Sequence, residues 1–269
     1  MAFDSGRGEI FVANPVSDNV SVISAATDSV IATLSLNCYP FGVAYDSRKG
    51  EVFATDFASD TVFVISDTTN SVVATVTVDQ APYAATYDSR EGEVFVATPG
   101  SGTVSVINDT TNRDVANIPV GLSPLDVVYD AQKGEVFVAN DASNNVSVIN
   151  AATNSVVATI PVSSGPDGLA YDEHTGQVFV TDEGANQVSV IDDSNNSVVA
   201  TVPVGMLPCA AAYDSGSGEV IVADQATTNV TAIDASNDQL VATIPIGGSP
   251  FGVAYDGGID ETFVAWVTI

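Results

Sequence analysis

The chain has 269 residues, 45% of them hydrophobic and 7% aromatic, and 34 Asp and Glu stand against 6 Lys and Arg for a formal net charge of −28. That length suggests one or two domains, and the apolar content suffices for a large core of small side chains, which excludes disorder by composition. So acidic a surface repels DNA, RNA and anionic membranes, whose binding draws on Lys and Arg.

Two readings of the charge stay open: solubility in a setting where salt screens it, or a partner that is basic or a divalent cation. Two cysteines, Cys38 and Cys209, make neither a disulfide framework nor a zinc pattern. No apolar run approaches the roughly 18 residues of a membrane-spanning helix. The opening "MAFDSGRGEIF" is not a signal peptide.

Phe3-Asp4 opens a series that continues as Tyr-Asp at 45–46, 87–88, 129–130, 171–172, 213–214 and 255–256, so each Asp follows the last by 42 residues. One period predicts four strands, A to D. In the fourth copy they are 125–130, 135–140, 145–150 and 155–162, all short and rich in β-branched residues. Turn formers separate them. "DAQKG" and its kin join A to B, with Asp suited to capping a turn and Gly to a positive φ. "NDASNN" joins B to C, and "AATN" joins C to D. Then a proline (40, 82, 124, 166, 208, 250) opens each new strand A, where its missing N–H costs least.

Strands such as "VFVA" and "SVVATIPV" are apolar on both faces, which implies sheets covered on both sides. Four-stranded units of this length, each sandwiched between two like it, describe an all-β propeller. The whole of 1–269 reads as a single propeller domain of six full repeats plus a partial seventh, 250–269. Seven blade positions with the seventh incomplete is the expected count, and a six-bladed ring is the alternative. Closure is expected through contact of the seventh inner strands with blade 1. The free edge of 262–269 is then a pairing hazard or the seam of an edge-mediated dimer.

The stretch "FVANDASNNVSVINAATNSVVATIPVSSGPDG" resembles the YVTN β-propeller repeat of archaeal and bacterial surface-layer and other exported proteins, and the resemblance extends through every copy. Phe11, Phe53, Phe95, Phe137, Phe179 and Phe263 stand where the family has Tyr, and "YDSRKG" stands where it commonly has S-P-D-G. The resemblance implies a seven-bladed ring, an extracellular or cell-surface location and a role in adhesion or surface contact, without a shared catalytic mechanism. The chain begins inside a strand A and ends after a strand B, which suggests a window on a longer exported protein.

Chemistry has few places to reside. The one histidine, His174, lies in an A–B turn on the bottom face, whereas both cysteines lie in D–A connections on the top face. A Cys–His dyad or Ser-His-Asp triad is therefore not expected. The residue after each proline varies: Phe41, Tyr83, Leu125, Asp167, Cys209 and Phe251, followed by Gly42, Ala84, Asp126, Gly168, Ala210 and Gly252. These begin strand A at the top mouth of the channel. Phe41, Tyr83, Asp126, Asp167 and Phe251 form the candidate binding set, suited to a sugar, a peptide tip or a cation.

Asp126, Asp167 and Asp182 are the candidate calcium ligands, since calcium takes six to eight oxygens. No other cofactor is expected. The B–C turns add Asp18, Asp56, Asp60, Asp141, Asp182, Glu183 and Asp224 with no Lys or Arg, while every cation lies in A–B or C–D turns on the bottom face. Five Asn-x-Ser/Thr sequons, at Asn19, Asn108, Asn145, Asn195 and Asn229, are candidate glycan acceptors in an exported protein. The favoured function is a non-enzymatic surface module for adhesion, protein or glycan contact, or surface-layer assembly. The alternative is a lactonase-like hydrolase or lyase using channel-mouth carboxylates and a divalent metal.

Overall fold

The computed structural model describes residues 1–267. Six four-stranded antiparallel sheets follow one another along the chain, and a two-stranded sheet follows the sixth. In the fourth copy the strands are Pro124–Asp130, Glu135–Asn140, Asn145–Asn150 and Ser155–Pro161, within a residue of the ranges expected from the repeat. The protein is therefore an all-β propeller with six complete blades, the count of the six-blade alternative. The last pair, Ser249–Asp256 and Glu261–Val267, stays two-stranded among the described residues. It packs on strand A of blade 6 and touches strand A of blade 1.

Alternation along each strand builds the seams between blades. Phe137, Val146, Val148 and Ile160 of blade 4 face Leu169, Val178, Val180 and Ile191 of blade 5. The same positions 42 residues away make the neighbouring seams. Phe11, Phe53, Phe95, Phe137 and Phe179 are fully buried in these seams. Phe suits such a place, because a hydroxyl sealed in an apolar seam would need a partner.

Strand D departs from the expectation of cover on both faces. Val156 and Val157 are 37% and 54% exposed, while Ile160 on the same strand is 3% exposed. The D strand is the outer edge of its blade, so only its seam-facing end is covered.

The turns follow from the Tyr-Asp pair. Asp130 Oδ1 accepts hydrogen bonds from the backbone N–H groups of Gln132 (2.7 Å) and Lys133 (3.1 Å), which folds the A–B turn onto its own carboxylate. Gly134 closes that turn at φ +70°, a value that L side chains adopt with strain, and its carbonyl accepts from Ala151 N–H in the C–D turn. A–B and C–D turns thus share the bottom face.

Bottom-face cations tie blade to blade. Lys133 Nζ of blade 4 donates to Asp193 Oδ1 of blade 5 at 2.7 Å, and Tyr171 donates to the other oxygen at 3.2 Å. Arg90 donates to the Gln132 carbonyl one blade on, at 2.9 Å. The lysine is partly solvated, so a Lys133→Ala variant is expected to lose only about 0.5–1 kcal/mol of unfolding free energy in urea titration. A larger loss would show that the pair is a principal tie between blades 4 and 5.

Candidate site at the channel mouth

The residue after the proline lies at a β-bulge in every copy but blade 3, where strand A starts only at Ala85 and Tyr83 N–H donates to the Ala97 carbonyl. In blades 4 and 6 and in the two-stranded sheet the pairing skips one residue, Leu125, Cys209 or Phe251. Blades 2 and 5 skip two, Phe41-Gly42 and Asp167-Gly168. A bulge leaves its residue outside the ladder and re-aims the side chain. At these bulged positions the residue is therefore free to vary while the ladder around it does not. Gly42 is required by close packing, since a Cβ there would lie 2.3 Å from the Tyr83 carbonyl oxygen of the next blade.

Aromatic rings gather on the side of blades 2 and 3. Phe41 and Tyr83 stack with centroids 4.3 Å apart, and Phe57 lies 5.7 Å from Phe41 and 6.3 Å from Tyr83. Tyr39 completes the group at 5.3 Å from Phe41. Tyr39 and Phe57 remain 38% and 39% exposed, so the cluster presents ring surface to solvent. Sequence reasoning placed Phe41 and Tyr83 here but missed Tyr39 and Phe57. Both flank the mouth because the Phe57 N–H bonds the Tyr39 carbonyl, joining the D–A connection to the B–C turn. Phe251 is half exposed and pairs with no other ring among the described residues.

Carboxyl groups gather beside them, on strands A of blades 4 and 5. Asp126 Oδ1 accepts from Val127 N–H (2.9 Å) and Oδ2 from Leu169 N–H of the next blade (2.8 Å). Burial in the mouth nevertheless pushes its pKa up to about 6. Asp167 is raised well above the ordinary carboxylate range, first by burial and then by the negative charges of Asp126, Glu183 and Asp141. The same desolvation, with Asp167 and Asp126 nearby, raises the Tyr83 hydroxyl. Cys209 points its thiol at the Pro250 carbonyl (3.5 Å), and burial followed by Asp167 and Glu183 lifts it to about 12, so it stays a neutral thiol. Aromatic surface, two raised carboxyls and the buried N-terminal amine beside Asp126 thus meet at one end of the channel.

Other candidates fall elsewhere. Asp182 is fully buried at the end of strand B, where Ser189 Oγ donates to it at 2.6 Å. It does not join Asp126 and Asp167, and among the described residues no three His, Cys, Asp or Glu side chains converge in a metal-binding group. Asp56 and Asp224 occupy the equivalent buried place in blades 2 and 6. Asp56 Oδ1 accepts from Tyr39 N–H and Ala58 N–H, both at 3.1 Å. Three of the seven expected rim acids are therefore internal fasteners, because the D–A connection folds over the end of strand B.

Of the five sequons, Asn195 is exposed, and the other four are half-buried. The amide nitrogens of Asn19 and Asn145 donate to the Ser17 and Ser143 carbonyls (2.8 and 3.1 Å), bonds a glycan would disturb. His174 sits in its bottom turn, 3.2 Å from the Tyr213 hydroxyl. A cavity of about 300 Å³ lies along the channel wall of blades 1 to 3, beside Phe3, Tyr45 and Tyr87 and apart from the mouth carboxyls. No helix among the described residues is long and apolar enough to cross a membrane.

Residues 128–215 match the family model of the YNCE-like beta-propeller. A chain of hydrazine synthase from Kuenenia stuttgartiensis has a similar fold, with a TM-score of 0.85 at 17% identity over 99% of this chain and 94% of that one. No match is found among curated proteins.

Proposed function

We propose that the protein is a non-enzymatic, surface-displayed propeller module that holds a neutral, hydroxyl-rich glycan at the channel mouth. The observation that carries this reading is the cluster of Tyr39, Phe41, Phe57 and Tyr83 beside the Asp126–Asp167 pair. Aromatic faces cover the apolar side of a sugar ring, and their edges and hydroxyls remain available to its polar rim. Burial raises both carboxyls, Asp167 well above the ordinary carboxylate range, and a carboxyl donates a hydrogen bond when protonated and accepts one when ionised. Such a pair fits hydroxyl groups better than it fits calcium, which takes ionised or carbonyl oxygens.

The resemblance to YVTN repeats and the net charge of −28 support display outside the cell, where salt screens the surface. We read the two-stranded sheet as an unfinished seventh position of the ring, supported by its packing between blades 6 and 1.

Calorimetric titration with a panel of neutral oligosaccharides tests the reading. A saturable heat is expected for at least one member, and Phe41→Ala with Tyr83→Ala is expected to weaken it roughly tenfold or more, the equivalent of 1.4 kcal/mol. A panel with no saturable binding overturns the glycan reading.

The raised carboxyls favour a second reading, a hydrolase or lyase that uses Asp126 and Asp167 as acid and base. The similar hydrazine synthase chain, at 17% identity, supports the fold and not the activity. Product release from the same panel, lost in Asp167→Asn, is the result that would establish this second reading.

A further inference from the structure

The outer half of the two-stranded sheet is where the repeated packing stops. Strand D carries one seam-facing residue in each blade: Leu34, Val76, Ile118, Ile160 and Val202 are 3–8% exposed. Their counterpart in blade 6, Ile244, is 47% exposed. Across the gap, blade 1 is uncovered at matching places. Ile23 is half-buried, whereas Ile65, Ile107, Ile149, Ile191 and Ile233 are fully buried. Val12 is half-buried, whereas Val96, Val138, Val180 and Val222 are fully buried. Among the described residues, no strand pairs with the outer edge of Glu261–Val267. An open ladder edge thus lies between two apolar walls, with Trp266 49% exposed at its end.

From these exposures we propose that the gap is a docking site for a two-stranded β-hairpin carrying the chain's own C–D pattern. The established seams say what such an occupant looks like. In each complete blade the edge of strand B pairs with strand C, as Phe137 does with Val148 and Ala139 with Val146. Strand D then covers the end of the seam. A hairpin of sequence 145–162 added to Glu261–Val267 in that register sets Val148 opposite Phe263 and Val146 opposite Ala265. The hairpin's Ile149 falls against the wall at Ile244, and its Ile160 against blade 1. Backbone pairing supplies affinity and the alternate apolar side chains supply selectivity, as in strand addition generally.

A second copy of this chain fits less well. Its corresponding strand pair is built into its own ring, and two bodies of net charge −28 repel. The proposal does not depend on the glycan reading.

Trp266 is the single tryptophan of the chain and reports on this edge. The experiment adds a synthetic peptide of residues 145–162, extended by two lysines for solubility, to the full chain. Tryptophan emission and the melting temperature are followed, with a scrambled peptide of the same composition as control. A saturable blue shift at one peptide per chain and a raised melting temperature are expected, with neither from the scrambled peptide. Ile244→Asp is expected to weaken binding roughly tenfold while leaving the free chain's melting temperature unchanged, because Ile244 is already half exposed. The absence of a saturable shift overturns the proposal. So does equal affinity in Ile244→Asp, or a concentration-dependent dimer whose emission is already blue-shifted without peptide.

Discussion

A Phe137→Ala variant is expected to lose about 3–5 kcal/mol of unfolding free energy, the cost of deleting a fully buried aromatic and leaving a cavity. Phe137 has no exposed surface and lies in the seam between blades 4 and 5, against residues of both sheets. Neither sheet can collapse into the space without leaving its own ladder. The counterpart Phe263 is half-buried beside the open gap. Phe263→Ala is therefore expected to cost less than half as much. Urea titrations of the two variants with unchanged m-values check this. Equal costs would mean that the last strand pair is as tightly sealed as an internal seam, and would also count against hairpin docking there.

The strands were legible because the period never slips. With every Asp of the Tyr-Asp series 42 residues after the last, one copy read correctly reads them all. The channel-mouth positions were legible for the same reason, since Phe41, Tyr83, Asp126 and Asp167 vary inside a constant frame. The bulge that frees Phe41 and Asp167 from the ladder was not, because a skipped pairing leaves no mark on composition.

The charge at the end of strand B was misread. Asp56, Asp182 and Asp224 look like turn acids in the sequence, yet they are buried under the D–A connection. The fasteners differ between copies. Asn14 is followed by Asn19 and Ser21, and Asn140 by Asn145 and Ser147; the Asn amides donate to those partners at 2.9–3.0 Å. Asp182 is followed by Gln187 and Ser189, which donate to it instead. The partners do not track the change, since Asp224 is followed by Asn229 and Thr231 much as Asn140 is followed by Asn145 and Ser147, so the burial of these acids leaves no clear mark in the sequence. Blade count was harder to read, because residues 250–267 repeat the A–B pattern whether or not outer strands accompany them.

That exchange of Asn for Asp at one internal place leads to the second large effect. Asp182→Asn is expected to stabilise the protein at pH 8 by about 1–3 kcal/mol and to change little at pH 4. Burial pushes the Asp182 carboxyl up to about 6, against the hydrogen bonds of Ser189 and Gln187 that favour its charged form. In the unfolded chain the same group titrates near 3.9. The folded state therefore binds the proton more tightly than the unfolded state. Its stabilising contribution is complete below about pH 4, falls away between roughly pH 4 and 6, and is gone at pH 8, where a buried charge remains. Two pK units correspond to about 3 kcal/mol, which bounds the effect. Asparagine already fills this place in blade 4, where Asn140 is fully buried beside Asn145 and Ser147. The substitution thus gives blade 5 the fastener of its neighbour and removes the charge. Asp126, also near 6, adds to the same slope in both proteins. The parent should melt higher at pH 5 than at pH 8, and the variant should show a shallower rise. Melting curves at pH 4, 5, 6 and 8 decide it. Parallel pH profiles for parent and variant would show that the Asp182 proton does not couple to folding, and that its burial costs nothing that asparagine relieves.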